Sequence, residues 1–104
     1  MAFFIYQGEN MQIHIIDIHY LATQEEIAKV RPLHRDFLDI GYNKGIFIAS
    51  GPKTSKTGGI IIARGDIQEI KEFIKDDTFH TNKVAEYHFT SFDAVKHIPE
   101  LANS

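Results

Sequence analysis

His34 is the residue whose type and position invite chemistry first. It falls on the apolar face of a helical pattern, between Val30 and Leu38 at three- and four-residue spacing, with Arg31 and Arg35 beside it. An imidazole in a core-facing slot is either hydrogen-bonded and structural or aimed into a cleft as an acid or base. A nearby arginine suits an anionic substrate, although a solvated helix face would carry arginine equally well. Asp76 and Asp77 follow the second helical pattern, where a helix C-terminus disfavours negative charge. A carboxylate there is a water-exposed loop residue or has a compensating partner. If one met a buried imidazole it would fix the ring's tautomer and raise its basicity.

Ser50-Gly51-Pro52 closes a strand, where Gly51 would let a ligand approach the backbone and Ser50 could donate a weak hydrogen bond. Lys44, Lys53 and Lys56 form a modest basic cluster, too interrupted for nucleic acid. Six histidines (His14, His19, His34, His80, His88 and His97) raise the question of metal. None has ligand-like spacing to a carboxylate, so no metal site is expected, although His14 and His88 could pair across adjacent strands. The glycines of Thr57-Gly58-Gly59 precede a strand and not a helix, which makes them a hairpin and not a phosphate loop.

The elements that must position these residues are legible. Gln12 to Tyr20 reads as a strand with His14, Ile16, Ile18 and Tyr20 on one face and Ile13, Ile15, Asp17 and His19 on the other. Thr23-x-x-Glu26 is a capping box that opens a helix carrying Ile27, Val30, His34, Phe37, Leu38 and Gly41 on one face. Pro32 is expected to kink it or split it after Val30, and Lys44-Gly45 closes it. Ile46 to Pro52 and Gly59 to Arg64 are strands joined by a polar turn. Asp66-x-x-Glu69 opens a second helix whose apolar face is Ile67, Ile70, Phe73 and Ile74. After a loop at His80 to Lys83, Val84 to Phe92 is the fourth strand, and Asp93 to Leu101 is expected to form a short amphipathic helix. The order βαββαβ is the ferredoxin-like, α+β arrangement: a four-stranded antiparallel sheet with two helices on one face. The other face needs a cover that the chain is too short to supply, so a homodimer through the sheet face, or a higher oligomer, is expected.

Composition sets the outer bounds. The chain has 104 residues, 43% hydrophobic and 24% charged, enough for one packed domain. A net charge of −3 argues against nucleic acid as a partner. Without cysteine there is no disulfide scaffold, thiolate zinc site or cysteine nucleophile. No apolar run approaches the ~20 residues that cross a bilayer, and the start lacks signal-peptide character, so no membrane association and a cytoplasmic location are expected. Residues 1–10 read as an N-terminal extension that frays, with Met11 as an alternative start and residues 11–104 as the domain.

In Arg31-Pro32-Leu33-His34, Ile48-Ala49-Ser50-Gly51-Pro52, Thr57-Gly58-Gly59-Ile60-Ile61-Ile62, Asp76-Asp77-Thr78-Phe79 and Ala85-Glu86-Tyr87 with Phe92, the chain resembles the YciI-like family of dimeric α+β barrels. The resemblance runs from about Met11 to Phe92. It implies a ferredoxin-like subunit that dimerises through its sheet and carries a cleft with a His and an Asp, which fall on His34 and Asp77. Two departures stand out: Thr78 replaces the motif proline, and Asn43 lies where many members carry an acid, leaving Asp77 to serve. The better-understood relatives are lyase-like dehydrochlorinases of chlorinated hydroxyquinones. The expected function is thus a cofactor-independent lyase- or hydrolase-type enzyme acting on a small anionic or phenolic substrate. His34 and Asp77 would be its acid/base pair, and Arg31, Ser50 and Gly51 would hold the substrate. The alternative is a ligand-binding or accessory module in which His34 is structural.

Overall fold

In the computed structural model, residues 11–102 are described; the expected extension at residues 1–10 lies outside them. The elements run β1 (Gln12–Tyr20), α1 (Gln24–Asn43), β2 (Phe47–Pro52), β3 (Gly58–Arg64), α2 (Ile67–Ile74), α3 (Thr78–Thr81) and β4 (Ala85–Asp93), followed by a 3₁₀ turn, Pro99–Ala102. The strands form one antiparallel sheet in the order β2-β3-β1-β4. This is the ferredoxin-like α+β class that the element order predicts.

The two faces of β1 separate as its alternation requires. Ile16 and Ile18 join Ile61, Ala63 and Phe47 on the face covered by Ile27 and Phe37 of α1 and by Ile70 and Ile74 of α2. The opposite face carries Ile15, Ile60, Ile62 and Phe92, half-buried or exposed. Close approach fixes two glycines. A methyl on Gly41 would fall 2.1 Å from the Phe47 ring, and one on Gly58 would fall 1.7 Å from the Ile18 carbonyl oxygen. Gly58 therefore lets β3 lie against β1 in register.

Four local expectations need correction. α1 continues unbroken through Pro32. Pro32 and Ala28, whose carbonyl loses its donor, are both exposed, so water replaces the missing bond. The segment after α2 is not simply a loop, because Asp77 caps the one-turn helix α3. The expected helix at Asp93 to Leu101 does not form. β4 extends to Asp93, the Ala94 N–H bonds the Met11 carbonyl, and only the 3₁₀ turn follows, held by Arg64 Nη1 donating to the Leu101 carbonyl. Pro99 has no N–H to give, and the stretch is too short to nucleate a helix alone. Finally, His14 does not pair with His88. Register sets it opposite Ser91, and its ring bridges Ser91 Oγ at 2.7 Å and the Gly65 carbonyl at 2.8 Å.

Candidate active site

The Thr23–Glu26 capping box starts α1 and sets its rotation. Ile27, His34, Phe37 and Gly41 then turn inward at helical spacing, and His34 comes to rest over α3. Its ring stacks on Phe79, with centroids 4.0 Å apart and planes within 11°. Its Nδ1 donates to Asp77 Oδ1 at 2.7 Å.

Asp77 is fully buried and makes three contacts. Oδ1 accepts from His34 Nδ1 and, at 3.2 Å, from the Phe79 backbone N–H, which caps α3. Oδ2 accepts from the Tyr87 hydroxyl at 2.5 Å. The expectation that Asp77 sits unfavourably at a helix C-terminus is corrected here. It stands at the N-terminal end of the next helix, where amide donors welcome a carboxylate. Because a carboxylate only accepts, the pair fixes the ring as the Nδ1–H tautomer and leaves the Nε2 lone pair as the free site.

Burial first, and then the neighbouring Asp77 charge, push the Tyr87 phenol far above its ordinary range. In the folded state Tyr87 keeps its proton after an unfolded chain would have lost it near pH 10. Folded protein then binds more protons than unfolded protein, so stability falls as pH rises past 10. The expected slope from this group is about 1.4 kcal/mol per pH unit. Denaturant melts of wild type and Tyr87→Phe between pH 9 and 11 check it: the variant, though less stable at neutral pH, should lack that component of the slope.

A cleft of about 210 Å³ opens beside His34. Arg31, His34 and Arg35 line it from α1, Ser50 and Gly51 from the edge strand β2, and Phe79 from α3. The structure thus brings Arg31, His34, Ser50 and Gly51 to one cavity, with Asp77 behind the imidazole. The Ser50 hydroxyl lies 2.7 Å from the Tyr42 hydroxyl. A methyl on Gly51 would meet nothing within 4 Å, so packing within this chain does not demand glycine there. The lysine cluster stays away from the cleft. Lys53 pairs with Asp17 at 2.5 Å, Lys44 lies over the Phe73 ring, and Lys56 sits in the β2–β3 turn. Sequence reasoning missed Tyr87 and Phe79. The available signal was parity: Tyr87 alternates with Ala85 and Phe89 on the helix-facing side of β4, where a phenol needs a partner. Among the described residues, no group of three or more His, Cys, Asp or Glu side chains could hold a metal ion, and no helix is long and apolar enough to cross a membrane.

A ferredoxin-like α+β subunit with an imidazole–carboxylate pair beside a small cleft is the class that fold and geometry define. The model of the YCII-related domain matches residues 2–93, and the chain belongs to that family. Among solved structures, it resembles 5-chloro-2-hydroxyhydroquinone dehydrochlorinase from Burkholderia phenoliruptrix AC1100, in complex with 2,5-dihydroxybenzoquinone. Sequence identity is 16%, the TM-score is 0.64, and the match covers 75% of this chain and 90% of that one. At that identity the likeness is one of fold. No curated protein sequence matches.

Proposed function

We propose that this protein is a cofactor-independent enzyme of the lyase or hydrolase type, in which His34 acts as general base and acid on a small anionic or phenolic substrate. The observation that carries this reading is the 2.7 Å bond from His34 Nδ1 to the buried Asp77, at the wall of a cleft. Asp77 holds the tautomer and would stabilise the imidazolium formed when Nε2 takes a proton. Arg31, Ser50 and Gly51 hold the substrate. The similar dehydrochlorinase acts on a small hydroxylated ring, which supports this substrate class. The test is turnover of 5-chloro-2-hydroxyhydroquinone and related phenols, followed by chloride release and by ring absorbance. Turnover lost in His34→Ala supports the reading, and equal turnover without the imidazole would sink it.

One observation favours a second reading, a non-catalytic ligand-binding module: the same contacts that orient His34 also tie α1 to α3 through the Phe79 stack and the Asp77 cap. In that case ligand binds and no product forms.

The open sheet face supports a homodimer. Ile15, Ile60 and Ile62 form an apolar surface there, and Phe92 is 48% exposed beside them. Sedimentation at twice 11.9 kDa is the expected result. The proposed location is the cytoplasm.

A further inference from the structure

Arg31 and Arg35 are four residues apart along α1, as are His34 and Leu38, and all four line the cleft. Two guanidiniums therefore stand one helical turn apart beside the imidazole. Like charges at that spacing repel and weaken a helix. Neither arginine has an ion-pair partner among the described residues. No carboxylate lines the cleft either. Asp77, just behind His34, already accepts from His34, Phe79 and Tyr87. In a chain whose net charge is −3, this is a local excess of positive charge without an internal counterion.

Beyond the Ser50 and Tyr20 hydroxyls, the rest of the wall is largely apolar, with Ile18, Leu38, Pro52, Ile61 and Phe79 lining the same cavity as the arginines. A ligand matching both sides has an anionic end and a flat or apolar body. Inorganic phosphate satisfies the guanidiniums and leaves the apolar wall without a partner. A neutral phenol does the reverse. A carboxylate on a ring satisfies both, because its two oxygens fit the fork of a guanidinium.

We propose that the cleft takes a carboxylate-bearing ring or short-chain substrate, its carboxylate held between Arg31 and Arg35, and that Arg35 sets the preference for the charged form. The proposal rests on the reading of His34 as the acid/base group and names the substrate class for that site. With the carboxylate at the arginines, the adjacent part of the substrate lies beside Nε2. In a lyase step, Nε2 takes a proton from a carbon next to the one bearing the leaving group. The C–H electron pair becomes the new π bond, the leaving group departs with its own bonding pair, and the imidazolium returns the proton to water.

The test compares 2,5-dihydroxybenzoate with hydroquinone, the same ring without the carboxylate, and with inorganic phosphate. Binding is followed by calorimetry and by the imidazole signals of His34 in NMR. The expected result is that 2,5-dihydroxybenzoate binds at least tenfold more tightly than either comparison ligand, and that it perturbs His34. Arg35→Gln should reduce its affinity about tenfold, leave hydroquinone binding unchanged, and leave the melting temperature within a degree or two, because Arg35 is exposed and unpaired. Equal binding of the two rings, or phosphate binding as tightly as the carboxylate, would overturn the proposal, as would an Arg35→Gln variant that binds normally. These outcomes separate from those of the acid/base reading. A carboxylate preference with no turnover of any substrate leaves the arginine subsite standing and removes catalysis. Turnover of neutral phenols without a carboxylate preference does the opposite.

Discussion

Replacing Asp77 with alanine is expected to lower the unfolding free energy by about 3–5 kcal/mol, because it strands several buried hydrogen-bond donors at once. The residue is fully buried and accepts from the His34 ring, the Phe79 amide and the Tyr87 hydroxyl. Alanine leaves all three donors without acceptors and removes the cap of α3. Each donor left unsatisfied costs about 1–3 kcal/mol, and the lost cap alone about 0.5–2. In a domain of this size that loss corresponds to a fall in melting temperature of more than about 12 °C. Thermal and denaturant melts measure it, and a loss below 1 kcal/mol would show that these bonds contribute little. Asp77→Asn separates packing from chemistry. With its oxygen in the Oδ1 place, the amide still accepts from the Phe79 N–H and from His34 Nδ1, and its NH₂ takes the Oδ2 place, where it can donate to the Tyr87 oxygen. The ring therefore keeps its tautomer, which nitrogen-detected NMR should report. The negative charge that would stabilise the imidazolium is gone, and activity should fall by up to about 10²–10⁴ while stability falls less than in Asp77→Ala.

The second large effect belongs to His34 itself. His34→Ala should reduce kcat/KM by about 10²–10⁴, the range for losing a general acid or base. Stability should fall by a smaller amount, about 1–3 kcal/mol, from the lost contact with Phe79 and the Asp77 oxygen left with one donor fewer. The two readings of the site part at this variant. A structural histidine predicts the stability loss together with unchanged ligand affinity and no rate to lose. A proton-transfer role predicts in addition that free imidazole, which fits the space vacated, restores part of the rate in His34→Ala. Failure of rescue across a range of imidazole concentrations, with binding intact, would favour the structural role.

How much of this was legible without coordinates differs from element to element. The capping box at Thr23, the inward positions Ile27, His34, Phe37 and Gly41, and the β1 alternation are read from spacing alone. Caps and periodicities act within one or two turns, so the residues that encode them lie next to one another. The same locality explains the errors. Pro32 reads as a break because the chain alone does not reveal that the freed Ala28 carbonyl faces water. The tail after Asp93 reads as a helix because its pairing with Met11, more than eighty residues earlier, is invisible in its own pattern.

The site divides along the same line. The sequence by itself determined that an imidazole occupies a core-facing slot of α1 between two arginines, and that a carboxylate pair follows α2. Only the tertiary structure decided that Asp77 caps α3 instead of ending α2, and that His34 and Tyr87 converge on its two oxygens. It alone put Arg31 and Arg35, and not the lysines, at the cleft. His34 and Asp77 are 43 positions apart in the chain, and their meeting depends on how α1 and α3 cross the sheet. That crossing is set by the summed packing of Ile16, Ile18, Ile27, Phe37 and Phe79 against one another. A sum over many weak contacts has no signature at any single position.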